Sequence, residues 1–148
     1  MRRRRAVLAS VPAVFGAVAP GASVEAEVAN PFATHKLVLQ LSDAALEKQK
    51  LIISVANTVL KVWPERSAID VVAFGPGVSL LYAASPERVG VDSLVSQGVR
   101  FEICMNTIET IIRRTGAAPT LNPRAHKVAY GVPRIMQLVA EGYMLVQP

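Results

Sequence analysis

The amino-acid sequence predicts an α/β fold: a three-layer α/β/α sandwich around a mostly parallel sheet of about five strands. Short apolar runs suited to buried strands alternate with longer segments whose apolar residues recur every three or four positions. Glycine or proline stands at most of the junctions between them. Strands that alternate with helices in this way form parallel sheets covered on both faces.

The first half of the chain repeats the strand–helix pattern twice. Asp43 is placed as the N-cap of the first helix, and Pro64 ends that helix. A tight turn, Gly75-Pro76-Gly77, follows the second strand. The predicted elements are, in order, a strand (37–41), a helix (44–63), a strand (69–74), a short helix (78–84) and a helix (85–96).

The second half continues the pattern with shorter strands. Gly98 is placed just after the preceding helix, where glycine is favoured. Arg113 and Arg114 occupy the last turn of a helix, where cations suit the dipole. The predicted elements are a strand (99–103), a helix (105–114), a loop (116–123), a strand (127–130), a helix from 133 that Gly142 closes, and a strand (143–146).

The first 26 residues predict an export signal. Four arginines precede an apolar stretch of 14 residues (6–19), and small residues precede a cleavage site after Ala26. The stretch is shorter than the about 20 residues that a membrane span needs. Arg4-Arg5 resembles a twin-arginine signal, with a standard secretory signal as the alternative. We therefore expect a periplasmic or otherwise exported protein, free of the membrane after cleavage, with a flexible lead (27–35) and one domain (36–148).

Net charge changes once the signal is removed. The whole chain has 16 Lys+Arg, 11 Asp+Glu and a formal charge of +5. Residues 1–26 hold four arginines and one glutamate, so the remaining chain carries about +2. It keeps no basic stripe interleaved with aromatic residues, and nucleic-acid binding is therefore not expected.

Cys104 is the only cysteine in the chain. It cannot form an internal disulfide, and it is placed where the third strand gives way to a helix. Chemistry in parallel sheets gathers beyond the carboxyl ends of the strands. The free N–H groups and dipole of a helix start favour a thiolate, which is the nucleophilic form. Cys104 is thus the candidate catalytic residue, and an inert buried cysteine is the alternative.

Two segments are candidates for supporting a group held at Cys104. One begins the helix after the cysteine and offers backbone and side-chain donors. The other is the turn after the second strand, whose glycines let the backbone approach a bound group if strands two and three are adjacent. The supporting residues are Gly75, Pro76, Gly77, Met105, Asn106 and Thr107.

No metal or organic cofactor is expected. His35 and His126 have no cysteine, histidine or carboxylate at ligand spacing around them. His126 begins a strand, at the opposite edge of a parallel sheet from Cys104, which argues against a Cys-His pair. The turn at 75–77 lacks the third glycine of a dinucleotide-binding fingerprint, where Leu80 stands instead.

Four stretches, in this order, resemble the DsrE/DsrF-like family of sulfur-relay proteins, in particular its exported relatives. They are HKLVLQLSD, VVAFGPGVSLL, SQGVRFEICMNT and VAYGVPRIMQLVAEGYMLV, and the resemblance spans 36–147. It implies an α/β/α sandwich and assembly into homo- or hetero-oligomers, often trimers or hexamers. Relay members carry sulfur as a persulfide on one cysteine at the end of the third strand, which Cys104 matches. They act in the cytoplasm, whereas this chain is predicted to be exported.

The resemblance and the position of Cys104 together predict a sulfur carrier. It would hold sulfane sulfur as a persulfide on Cys104 and exchange it with sulfur donor and acceptor proteins, as a carrier rather than a turnover enzyme. Two alternatives remain open. One is a non-catalytic, oligomeric binding module with a structural cysteine. The other is a thiol redox sensor, for which the chain has no resolving cysteine.

Overall fold

A computed structural model describes residues 30–148. The predicted export signal and the first three residues of the predicted lead lie outside the described residues. Strands and helices alternate throughout. They are β1 (His35–Leu41), α1 (Leu46–Val62), β2 (Ser67–Ala73), a 3₁₀ helix (Gly75–Leu81), α2 (Arg88–Ser96), β3 (Arg100–Cys104), α3 (Met105–Thr115), β4 (His126–Val128), α4 (Gly131–Ala140) and β5 (Met144–Val146).

The strands form one five-stranded sheet in the order β4-β3-β2-β1-β5. Every pair of neighbouring strands runs parallel. β2 and β3 are adjacent, with Ala73 opposite Ile103, so the carboxyl ends of these two strands meet at one edge. The prediction of an α/β fold with a parallel sheet is confirmed. None of the helices in residues 30–148 combines the length and the apolar character of a membrane span.

Topology explains which helices cover which face. From β1 to β4 the chain moves across the sheet in one direction, and from β4 it returns to the far side of β1. Connections between parallel strands are right-handed, so a reversal of direction puts the connecting helix on the opposite face. α1, α2, α3 and the 3₁₀ helix accordingly pack on one face, and α4 packs on the other.

The core between the sheet and the three-helix face is apolar. The sheet contributes side chains such as Leu39, Val71 and Phe101, each fully buried. Ile52 from α1 and Leu94 from α2 close over them. Alternation along each strand sends the next residues to the α4 face. There a smaller apolar cluster forms from Val38, Ala68, Val72, Ile135, Leu138 and Tyr143.

Two predicted details at the carboxyl edge are wrong. Asp43 is not the N-cap of α1: that position is Ala45, with no side-chain cap, and Asp43 Oδ1 instead accepts the Ala45 N–H at 2.7 Å. The helix begins later than expected because this carboxylate closes a local turn. The turn at Gly75 and the short helix after it are one 3₁₀ helix, with Pro76 in its first turn.

The segment before β1 is joined to the loop before β2. Asn30 Nδ2 donates to the Glu65 carbonyl at 2.7 Å. The backbone N–H groups of Thr34 and His35 both donate to the Arg66 carbonyl at 3.0 Å. β1 begins at His35, within the stretch predicted as a flexible lead.

Candidate functional site

Cys104 ends the strand next to β4, the strand after which the chain changes from one face of the sheet to the other. It is the last residue of β3 and the N-cap of α3. Cys104 pairs in register with Val128, the last residue of β4. β3 leads into α3 on the three-helix face, whereas β4 leads into α4 on the opposite face. Adjacent strands whose connections diverge in this way leave a crevice at their carboxyl ends, where α/β proteins bind their ligands.

The thiol of Cys104 is buried at this edge of the sheet. The residue is 4% exposed, and its Sγ lies 3.9 Å from the Ala129 carbonyl oxygen, which it can use as an acceptor. The same carbonyl accepts the backbone N–H of Asn106 at 3.1 Å. The segment between β4 and α4 therefore covers the sulfur.

The start of α4 is packed tightly against the end of β2. A Cβ atom on Gly131 would lie 2.8 Å from the Phe74 Cβ, closer than real Cβ atoms come. Only glycine therefore lets α4 begin at this distance from the sheet. Gly131 thus lets the segment between β4 and α4 lie close over Cys104.

The predicted supporting residues divide between two places. Beside the first turn of α3 is a cleft of about 390 Å³. Its lining residues are Gly75, Pro76, Val78, Tyr82, Asn106, Thr107, Thr110, Ile111 and Arg114. Four of the supporting residues are among them, whereas Cys104, Gly77 and Met105 are not. The sequence missed Tyr82, Thr110 and Arg114; their only signal was the spacing of the last two on the same helix face as Thr107.

Gly75 and Gly77 have different roles in the turn after β2. Gly75 has a φ of +54° and donates its backbone N–H to Thr107 Oγ1 at 3.0 Å, which ties the turn to α3. A Cβ on Gly77 would meet the Leu41 carbonyl oxygen at 2.3 Å. Gly77 thus serves packing against β1. Met105 faces a separate cleft between α3 and the loop before β4, with Ile108 and Leu121.

A network of buried charges lies on the α4 face of the sheet, and two of its members share β3 with Cys104. Asp70 is 1% exposed and Glu102 is 3% exposed. Arg100 donates to both Asp70 oxygens, at 2.7 and 3.1 Å, and its Nη2 lies 3.5 Å from Glu102 Oε1. Arg134 from α4 donates to both Glu102 oxygens, at 2.7 and 2.9 Å. The network joins β2, β3 and α4 beneath the cover of the crevice.

The arginines of this network are held in their charged form. The hydrogen bonds that Arg134 donates to Glu102 raise the pKa of Arg134. Burial opposes the charge on Arg100, but its hydrogen bond to Asp70 and the charges of Asp70 and Glu102 outweigh burial and raise its pKa. Asp70, Arg100, Glu102 and Arg134 were not among the residues that the sequence predicts at the site. Their signal was a charge at every second position of strands expected to be buried, at 70, 100 and 102.

No group of three or more cysteine, histidine or carboxylate side chains within residues 30–148 is arranged to hold a metal ion. The His35 ring stacks on Trp63, with ring centroids 4.1 Å apart and planes at 12°. His126 lies opposite Glu102 at the start of β4. His126 lies two residues before Val128, the register partner of Cys104. His35 lies on β1, which is not adjacent to β3.

Comparisons with known proteins support the fold. No family model and no curated protein sequence matches the chain. The structure is similar to that of MTH1491, a protein of unknown function from Methanobacterium thermoautotrophicum. The TM-score is 0.69 and the sequence identity is 28%, over 77% of this chain and 99% of that one. The chain therefore shares a complete α/β domain with a protein whose own function is open.

Proposed function

We propose that the protein is a sulfur carrier that holds sulfane sulfur as a persulfide on Cys104. The observation that carries this proposal is the position of the lone cysteine at the sheet's switch crevice, at the end of β3 and the N-cap of α3. A structural cysteine needs no such position. The resemblance to sulfur-relay proteins, whose cysteine ends the third strand, supports the same chemistry.

The transfer balances without a cofactor. The Cys104 thiolate attacks the outer, sulfane sulfur of a donor persulfide, and a Cys104 S–S bond forms as the donor thiolate leaves. An acceptor thiolate then attacks the outer sulfur of the Cys104 persulfide and displaces the Cys104 thiolate. Two sulfur–sulfur bonds are exchanged in turn, and no external oxidant or reductant is needed.

Burial of Cys104 suits a carrier that must protect its cargo. A persulfide in open solution exchanges with any passing thiol. In this protein the Ala129 carbonyl and the start of α4 cover the sulfur. We propose that this cover opens transiently in the isolated protein, which admits small reagents such as polysulfides, and that a donor or acceptor protein holds it open during transfer.

Persulfide loading tests the proposal. The protein is incubated with a polysulfide donor and its intact mass is measured. Wild type is expected to gain about 32 Da per sulfur atom and to lose this mass on treatment with dithiothreitol. Oxidation to a sulfinic acid adds a similar mass but is not reversed by thiols, so the reduction step separates the two. A dithiothreitol-reversible gain in the Cys104→Ser variant would refute the proposal.

The low exposure of Cys104 favours a second candidate, a non-catalytic binding module with a structural cysteine. Cys104 is 4% exposed and does not line the cleft beside α3. Alkylation by iodoacetamide between pH 6 and 10 distinguishes the two. Labelling of the folded protein supports the carrier, whereas labelling only after denaturation supports the binding module.

We propose that the protein assembles as a homo-oligomer, a trimer or hexamer, through the outer face of α4. Three apolar side chains lie along this helix within seven positions: Val132 is 50% exposed, Met136 67% and Val139 45%. Exposed apolar stripes mark protein interfaces. Light scattering is expected to show that Met136→Lys reduces the assembled mass. Val89→Lys is the matched control, because Val89 is an apolar residue of α2 that is 82% exposed.

We also propose that the protein is exported. The arginines, apolar stretch and small residues of 1–26 support this proposal. The intact mass of the protein recovered from a periplasmic extract is expected to match a chain that begins at Glu27. A mass that retains 1–26 would contradict export by cleavage.

A further inference from the structure

The cleft beside α3 has two chemically different walls. Val78, Tyr82 and Ile111 form an apolar side, with Val78 fully buried. Asn106 and Thr107 provide polar groups at one end, in the first turn of α3, and Arg114 stands at the other end. Seven residues of α-helix separate Thr107 from Arg114, a rise of about 10 Å. The cleft therefore has a polar end, an apolar middle and a cationic end along one helix.

Arg114 gives the cleft its charge. No acidic residue is among those lining the cleft. Within residues 30–148, Arg114 has no hydrogen-bonding or ion-pairing partner. Its neighbour Arg113 does not line the cleft, and its guanidinium is engaged by Thr110 Oγ1, to which it donates at 2.8 Å. The helix dipole suits a cation at either position, but only Arg114 lines the cleft.

The donors at the other end are available to a ligand. Thr107 Oγ1 accepts the Gly75 N–H, which leaves the threonine hydroxyl proton free to donate. Within the described chain, the Asn106 carboxamide makes no hydrogen bond. The Thr110 hydroxyl, in contrast, donates to the Asn106 carbonyl and accepts from Arg113. Thr110 thus shapes the cleft, and Asn106 and Thr107 are the groups left to bind.

From these observations we infer that the cleft binds a small amphipathic organic carboxylate. The carboxylate pairs with Arg114, the apolar body lies against Tyr82 and Ile111 with Val78 behind them, and a polar substituent reaches Asn106 and Thr107. A volume of about 390 Å³ lies at the small end of ligand sites in proteins. A single cation suits one carboxylate better than the several charges of a nucleotide phosphate chain.

Tyr82 adds to the neutral character of the middle of the cleft. Burial raises the pKa of Tyr82, so its phenol keeps its proton at physiological pH. It presents no anion that would repel the ligand. This site goes beyond the sulfur chemistry proposed above, because Cys104 does not line the cleft and takes no part in binding.

The test is an NMR titration of the full chain, labelled with ¹⁵N, with 4-hydroxybenzoate as the probe. The neutral 4-hydroxybenzamide is the matched ligand, and Lys61→Gln, at an exposed cation in the last turn of α1 that does not line the cleft, is the matched control for Arg114→Gln. We expect 4-hydroxybenzoate to shift the amides of Gly75 and 106–111. Its affinity should fall about fivefold in Arg114→Gln, the upper end for an exposed ion pair, and stay within about twofold in Lys61→Gln. The amide should bind equally to all three proteins.

Equal affinity of wild type for the acid and the amide would overturn the inference, and so would an equal loss of affinity in the two glutamine variants. Amide shifts confined to the surface around Trp63, which does not line the cleft, would also overturn it. Cys104→Ser is expected to bind 4-hydroxybenzoate as wild type does. Loss of persulfide loading with retained carboxylate binding would therefore count against the carrier and leave this site standing.

Discussion

The two faces of the sheet are covered by different kinds of side chains. On one face α1, α2, α3 and the 3₁₀ helix enclose an apolar core around side chains such as Phe101. On the other face α4 alone covers the sheet, over a small apolar cluster and the carboxylates of Asp70 and Glu102. Apolar side chains pack by matching shapes, whereas the buried charges hold α4 through hydrogen bonds that require a fixed geometry. The candidate sulfur site lies beneath the single, charge-held helix.

The largest expected effect is on the three-helix face. Phe101→Ala removes a fully buried side chain and leaves a cavity between β3 and the helices. We expect the free energy of unfolding to fall by about 3–5 kcal/mol, measured by chemical denaturation. Phe32→Ala is the matched control, because Phe32 is 80% exposed, and it should change stability by less than about 0.5 kcal/mol. Similar losses in the two variants would contradict the assigned core.

The next effect concerns the charges under α4. Glu102→Gln leaves Arg134 and Arg100 without their shared carboxylate. We expect a loss of about 3 kcal/mol, the low end for a broken buried pair, because both arginine side chains are partly exposed. Replacing Glu102 and Arg134 together by methionine should cost less than Glu102→Gln, since no charge loses its main partner. A larger loss in the double variant would show that the pair itself stabilises α4.

A smaller effect tests the cover over Cys104. Gly131→Ala places a methyl group against Phe74 and should push the start of α4 outward. We expect a loss of about 1–3 kcal/mol and faster alkylation of Cys104 by iodoacetamide in the folded protein. Gln137→Ala changes an exposed residue of the same helix outside the proposed oligomer interface and should alter neither quantity. If Gly131→Ala lowered stability without faster alkylation, the start of α4 would not be what limits access.

The smallest effect at neutral pH is expected at Tyr143. Its Oη is buried close to the Asp70 carboxylate, which Arg100 already holds, and makes no hydrogen bond of good geometry within residues 30–148, so Tyr143→Phe should change stability by less than about 1 kcal/mol. Burial, and then the charge of Asp70, raise the pKa of Tyr143 from 10.0 to about 12. The folded state therefore favours the neutral phenol. This contribution is complete below pH 10 and is lost as the pH rises toward 12.

Denaturation curves between pH 9 and pH 12 measure this difference. Wild type should lose more stability over that range than Tyr143→Phe, which has no phenol to ionise. Parallel pH profiles for the two proteins would mean that Tyr143 ionises alike in the folded and unfolded states, and would contradict the neutral, buried phenol on the α4 face.

The sequence predicts the helices on the apolar face better than the ion pairs on the α4 face. Apolar periodicity predicted α1 and α3 closely, because an amphipathic helix on an apolar core follows one spacing rule. It did not predict the partners of Asp70 and Glu102, because ion pairs between strands and a helix depend on register. The Asp43 cap failed for a related reason. The carboxylate bonds its own turn, a local competition that composition does not resolve.

The sequence by itself determined the alternation of strands and helices, the α/β class and the position of Cys104 between β3 and α3. These are local properties, set by spacing and by the residues at each junction. Only the tertiary structure decided that Cys104 lies under the start of α4, outside the cleft that holds Asn106, Thr107 and Arg114. That choice depends on the strand order, because the reversal after β4 sends α4 to the opposite face and over the thiol.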